Sequence, residues 1–273
     1  MRWVDVGGVR WHVEWRGHAE NPVLAMVHGF AGSLRTWDAL LPELETKYRV
    51  LLVDLPGHGD TPFPEKADFA LRDLWEALGK LLLELSPDPP LLCGYSMGGR
   101  IALHVGIHAP NFLHRLILIG ASPGIESETE RTARQLSDHK LAEDILLKGT
   151  EWFADYWATL PLFESQKRLP TDVQARLRDA RIRCDARGLA YALERFGTGR
   201  QEFLAGDLHK LTCPLLLLAG ALDEKFCASN RLIAAHCGST SVHRLEILDA
   251  GHAVHIEKPS AVVREIIAFA ELL

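Results

Sequence analysis

Short apolar runs alternate along this chain with longer stretches in which apolar residues recur every three or four positions. Residues 9–15 alternate apolar with polar at period two and predict a half-buried strand. Residues 23–27, 48–53, 91–93, 116–119 and 215–219 are largely apolar. Runs that short and that apolar predict parallel strands covered on both faces. Residues 71–85 place Leu71, Leu74, Ala77, Leu78, Leu81 and Leu82 on one face at helical spacing, and residues 97–108 and 260–272 predict two more helices. This alternation predicts an α/β fold, a mostly parallel sheet with helices on both faces.

The pattern breaks after Ile119. Residues 124–206 contain no strand-like run and cluster the aromatics Trp152, Phe153, Tyr156 and Trp157. Strand signals return at 215 and at 244–248. The expected organisation is a core of residues 1–123 and 207–273, interrupted by a helical cap at 124–206.

Composition narrows the class. The chain has 273 residues, 47% hydrophobic, with 30 Lys+Arg against 36 Asp+Glu for a net charge of −6. That length buries a core without disulfide or metal staples, and the mild acidity argues against nucleic acid as a partner. The five cysteines are odd in number and form no C-x-x-C, which argues against a disulfide framework or thiolate metal site and suits a reducing cytoplasm. Residues 1–15 carry Arg2, Asp5, Arg10 and Glu14 and lack a signal-type apolar run. No stretch reaches the ~18 apolar residues of a membrane span.

Chemistry enters at Gly94-Tyr95-Ser96-Met97-Gly98, a G-x-S-x-G between a predicted strand and a predicted helix. In that context the glycines serve a turn too tight for Cβ atoms, and Ser96 projects at the sheet edge. A serine hydroxyl needs a base to take its proton. The chain order for this arrangement is serine, acid, histidine. Asp223 follows the strand at 215–219, and His252 follows the last predicted strand. Glu224 and Asp249 are weaker acids by position. Oxyanion-hole amides are expected from Met97, after the nucleophile, and from Phe30 in His28-Gly29-Phe30-Ala31-Gly32-Ser33, which follows an early strand. The loop from Asp54 to Thr61 reads as a structural turn near the site mouth. His104 and His108 lack the glutamate of a zinc-helix motif, and no phosphate-binding glycine loop is present, so no metal or cofactor is expected.

The cap holds ten arginines although its net charge is −1. Arg176, Arg178, Arg181, Arg183 and Arg187 crowd one stretch, and Arg131 and Arg134 form a pair. Arginine holds carboxylates through paired hydrogen bonds, so some of these suit an anionic substrate, while others pair with the cap's own acids.

The sequence resembles the α/β-hydrolase superfamily through Ser96, Asp223, His252 and the His28-Gly29 loop. The stretch from Gly94 to Arg100, Ser122-Pro123-Gly124, residues 130–135 and residues 153–157 resemble, more narrowly, the 2-succinyl-6-hydroxy-2,4-cyclohexadiene-1-carboxylate synthase family of menaquinone biosynthesis. The resemblance implies a carbon–oxygen lyase that eliminates pyruvate from 2-succinyl-5-enolpyruvyl-6-hydroxy-3-cyclohexene-1-carboxylate, with Ser96 as base. It implies substrate contacts at Tyr95, Arg134, Arg181 and Trp157 or its neighbour Tyr156, with Arg100 as a further carboxylate ligand. A serine hydrolase of esters or carbon–carbon bonds uses the same triad, and a non-catalytic binding module keeps the fold without the chemistry. Elimination and hydrolysis both begin with the same transfer of a proton to histidine.

Overall fold

The computed structural model describes residues 2–66 and 68–272. The chain runs β1 (Arg2–Val6), β2 (Val9–Arg16), β3 (Val23–Val27), α1 (Leu41–Leu44), β4 (Arg49–Val53), α2 (Leu71–Leu85), β5 (Leu91–Tyr95), α3 (Met97–His108) and β6 (Arg115–Ile119). It continues α4 (Glu128–Thr159), α5 (Thr171–Ile182), α6 (Ala186–Phe196), β7 (Leu215–Gly220), α7 (Glu224–His236), β8 (Val242–Ile247), α8 (Val254–Glu257) and α9 (Pro259–Ala270). The eight strands form one sheet in the order β1-β2-β4-β3-β5-β6-β7-β8. Strands β1, β2 and β4 pair antiparallel, and every pairing from β4 onward to β8 is parallel.

The apolar runs became buried strands because each must hide two faces. Ala25, Val27, Leu51, Val53 and Leu92 point to one side, into a core closed by α2 and α3. Their alternates Leu24, Met26, Val50, Leu52 and Cys93 point to the other, into a core closed by α1, α8 and α9. This is the period-two geometry of a strand covered on both sides. Helix α2 buries the predicted leucine face together with Leu85. Each such leucine contributes about 1.5–3 kcal/mol of burial.

Strand β1 and helix α7 lay outside the sequence-based expectation, as did the short helices α1 and α8. Strand β1 is an edge strand whose residues are mostly exposed, so it carries no apolar run. Its signal was the turn Gly7-Gly8, with φ of 65° and 76°, which closes a hairpin onto β2. Helix α7 buries only Cys227, Asn230 and Ile233, a stripe too narrow and too polar to stand out. Strand β2 also departs from half-burial. His12 and Glu14, two of its polar positions, are buried because His12 Nδ1 meets Asp54 Oδ2 at 2.8 Å and Glu14 takes Arg16 and Arg35, while Arg10 is exposed.

Between β6 and β7 the chain leaves the sheet and builds a helical cap. Helix α4 starts at the Ser127 cap, which accepts from the Glu130 amide, and is broken at Gly149 (φ 82°, ψ 174°). Asp185 caps α6 through the Arg187 and Gly188 amides. A third apolar cluster, with Ala142, Ile145, Phe153, Leu189 and Leu193, joins the cap to Ala31 and Phe30 of the core. Gly57 and Gly188 meet backbone to backbone, so the 54–61 loop is also where the cap docks.

Candidate active site

Ser96 is set by backbone strain. It sits between β5 and α3 at φ 50° and ψ −108°, a conformation costly for a residue with a side chain. Its amide donates to the Ile119 carbonyl of β6, which pins the turn to the sheet. A Cβ on Gly94 would lie 2.5 Å from the Gly98 carbonyl oxygen, and one on Gly98 would run into the carbonyls of Val27 and His28. The tight elbow therefore excludes Cβ atoms on both sides of the serine.

Asp223 and His252 arrive from strand ends further along the sheet. Asp223 caps α7, and its Oδ1 accepts from the Phe226 amide at 3.4 Å. Its Oδ2 accepts from His252 Nδ1 at 2.8 Å. With Nδ1 protonated, His252 Nε2 accepts the Ser96 hydroxyl at 2.9 Å. Asp223 and His252 are buried, whereas Glu224 and Asp249 are exposed, and Asp249 is held at φ 56° in a turn. Geometry thus gives the histidine one acid, and a serine–histidine–aspartate relay that moves a proton from Ser96.

The loop that would supply the second oxyanion amide is fixed by His28. His28 Nδ1 donates to the Gly29 carbonyl at 2.7 Å, and Nε2 accepts from the Leu55 amide at 3.0 Å. Burial pulls its pKa down to about 4, so the ring is neutral and holds one tautomer. A Cβ on Gly29 would lie 2.8 Å from Tyr95 Cδ1, which is why the loop can pass so close to the nucleophile. Met97 opens α3, so its amide has no intrahelical acceptor.

These groups face a cavity of about 150 Å³ beneath the cap. Its wall includes Phe30, Tyr95, Ser96, Met97, Arg100, Arg134, Trp157 and His252. Trp157 packs on Phe30 with ring centroids 5.2 Å apart, whereas Tyr156 is exposed and stacks on Trp152 outside. Arg134 Nε donates to Asp138 Oδ1 at 2.8 Å; burial nonetheless holds the Asp138 carboxyl above its ordinary range. Arg100 is buried and donates to the Phe196 carbonyl at 2.7 Å and to Gln201 Oε1 at 3.2 Å. Burial, with Arg134 nearby, lowers it to about 10.

Arg181 is not on the cavity wall. It is buried, donates to Gln166 Oε1 at 3.0 Å, and lies 5.6 Å over the Phe163 ring that does line the cavity. Burial lowers its pKa. Arg176 pairs with Asp172, and Arg178 with Asp155 and Glu151, all at the surface.

Phe226, Phe163 and Lys225 are among the wall residues that escaped sequence reasoning. Phe226 lies 4.4 Å from the His252 ring and Phe163 lies 6.0 Å from it, edge-on. Lys225 precedes Phe226. Phe226 and Lys225 could have been found from their place in the first turn after Asp223; Phe163 carried no signal. His104 and His108 both stack on Trp75. Among the described residues, the one cluster of potential metal-ligand atoms is His12, Asp54 and Asp60, where Asp54 already accepts from two backbone amides.

A strained nucleophile elbow, a buried triad and a cap inserted after the sixth strand define an α/β-hydrolase-fold protein, and the α/β hydrolase fold family matches residues 22–259. The chain is 32% identical to the 2-succinyl-6-hydroxy-2,4-cyclohexadiene-1-carboxylate synthase of Salmonella arizonae, over 90% of this chain and 93% of that protein. It is 37% identical to a Bacillus subtilis protein provisionally given the same name, over 92% and 91% of the two chains. The structure of MenH from S. aureus superposes with a TM-score of 0.89 at 31% identity, covering 95% of this chain and 97% of that one. The chain belongs to the 2-succinyl-6-hydroxy-2,4-cyclohexadiene-1-carboxylate synthase family.

Proposed function

We infer that this protein is the pyruvate-eliminating lyase of menaquinone biosynthesis, acting on 2-succinyl-5-enolpyruvyl-6-hydroxy-3-cyclohexene-1-carboxylate. The observation that carries the reading is the Ser96–His252–Asp223 relay, enclosed by a cap whose Arg134 reaches the same cavity, where Arg100 of α3 also lies on the wall. Its kinship to named synthases runs through the cap as well as the core.

In this reading His252 takes the Ser96 proton, and Ser96 Oγ removes the hydrogen from ring carbon 2, next to the succinyl ketone. The C–H electron pair forms the 2,3 double bond. The 3,4 double bond shifts to 4,5, and the carbon 5–oxygen bond breaks. The enolpyruvate leaves, takes a proton and becomes pyruvate, and no water is added. Charge developing on the ketone oxygen falls to the amides of Phe30 and Met97. Tyr95, Arg100, Arg134 and Trp157 hold the substrate from the cavity wall, and Arg181 supports it from behind Phe163. Residues 124–206 act as the cap over a core of 1–123 and 207–273.

No helix among the described residues is long and apolar enough to cross a membrane. All five cysteines are free thiols, which supports a place in the reducing cytoplasm. The test is a product assay on the purified protein, with pyruvate read by coupled reduction to lactate. Stoichiometric pyruvate and diene product are expected. Ester hydrolysis without pyruvate release would replace the lyase by a serine hydrolase.

A further inference from the structure

The cavity wall around Ser96 carries three cationic side chains, Arg100, Arg134 and Lys225, and no acidic one among the described residues. Two are already engaged. Arg134 is paired with Asp138, and Arg100 is hydrogen-bonded to the Phe196 carbonyl and Gln201. The Lys225 ammonium has no carboxylate or amide partner among the described residues; it lies 5.8 Å over the Phe226 ring. That same ring lies 4.4 Å from His252.

Its position runs against local electrostatics. Lys225 is in the first turn of α7, where the helix amides already present positive charge and an acid is favoured. Yet it makes no ion pair with the adjacent Glu224, in a chain of net charge −6. An unpaired cation placed at an unfavourable helix end, on the wall of a catalytic cavity, is explained by an anion that arrives with the substrate.

We propose that Lys225 binds a carboxylate of the substrate at the His252 end of the cavity. This assignment rests on the lyase reading above, which supplies a substrate with several carboxylates. Arg134 belongs to the cap and Lys225 to the core, so the two hold the substrate from opposite bodies of the protein. The flexible four-carbon stem lets the ammonium reach in while its base stays exposed. A carboxylate fixed beside Phe226 sets the ring so that its acidic hydrogen faces Ser96.

The experiment compares full-length wild type, Lys225→Met, Lys225→Arg and a control, Lys80→Met, whose site is on α2 away from this cavity. Pyruvate release gives KM and kcat. Calorimetric binding of the diene product to each protein gives an affinity independent of turnover. Lys225→Met is expected to raise KM and weaken product binding about ten-fold, with kcat changed less than about three-fold. Lys225→Arg is expected to recover most of the binding. The loss in Lys225→Met should shrink as salt rises, because a partly exposed ion pair is screened. If wild type releases pyruvate while Lys225→Met binds and turns over like Lys80→Met, the lysine assignment is overturned and the lyase reading stands. If wild type releases no pyruvate, the reading fails and the assignment with it.

Discussion

Ser96 Oγ lies 2.9 Å from His252 Nε2, although 156 positions separate the two residues. The contact exists because both sit at the same end of a parallel sheet, one after β5 and the other after β8. Replacing Ser96 with alanine removes the hydroxyl and leaves the elbow backbone intact. Pyruvate release is expected to fall by roughly 10⁴–10⁶-fold, the scale seen for triad residues, with an unchanged circular dichroism spectrum. Residual activity within ten-fold of wild type would mean that Ser96 is not the base.

Gly98 sits where a Cβ would meet the carbonyls of both Val27 and His28. Gly98→Ala must push α3 away from β3 and tilt the Met97 amide. A loss of more than about 2 kcal/mol in urea unfolding is expected, the range typical of overpacked buried sites. A methyl group on Gly206 would find nothing within 4 Å, so Gly206→Ala should stay within about 0.5 kcal/mol. Equal effects of the two would remove the steric argument for the elbow.

Arg134 faces the cavity, and Arg176 pairs with Asp172 at the surface. Arg134→Ala is expected to lower kcat/KM by about 10–100-fold, the worth of one charge-assisted hydrogen bond. Arg176→Ala should remain within about two-fold, as exposed ion pairs contribute little. Steady-state kinetics on the two variants decides between them, and equal losses would mean that cavity position does not select the substrate-binding arginine.

Four histidines are buried in the neutral form. Burial lowers His28 and His104 to about 4, and His58 and His255 to about 3. In the unfolded chain each binds a proton near pH 6.5. Between pH 6.5 and 4 the unfolded state therefore holds more protons than the native state, so stability is full above 6.5 and falls as the pH drops. The urea midpoint should decline steadily from pH 7 to 4.5. His104 stacks on Trp75 away from the triad, so His104→Phe should flatten part of that decline. A midpoint independent of pH over this range would contradict the neutral buried histidines.

Much of this architecture was legible in the residue pattern. Helices α2 and α3 run over the residues that helical spacing indicated, because α2 buries a continuous apolar face and α3 is buried on all sides from Met97 to Ile107. The strands from β3 to β7 were legible because burial on both faces demands unbroken apolar runs. Edge strand β1 and helix α7 were not, since each hides too little surface to need an apolar pattern.

By itself, the sequence determined the parallel core, the elbow around Ser96 and the order of serine, acid and histidine. These follow from local rules, namely burial period, steric limits at glycine and the loops that follow strands. Among the ten cap arginines the family resemblance pointed to Arg134 and Arg181, and tertiary structure decided that of these two only Arg134 stands on the cavity wall. Arg176, Arg178 and Arg181 share one helix and one chemistry, yet the first two pair outward and the third is buried against Phe163. The same holds for Trp157 over Tyr156, and for Lys225, left without a partner among the described residues at the start of α7. A charge or ring on a helix has several faces open to it, and only packing against distant segments removes all but one.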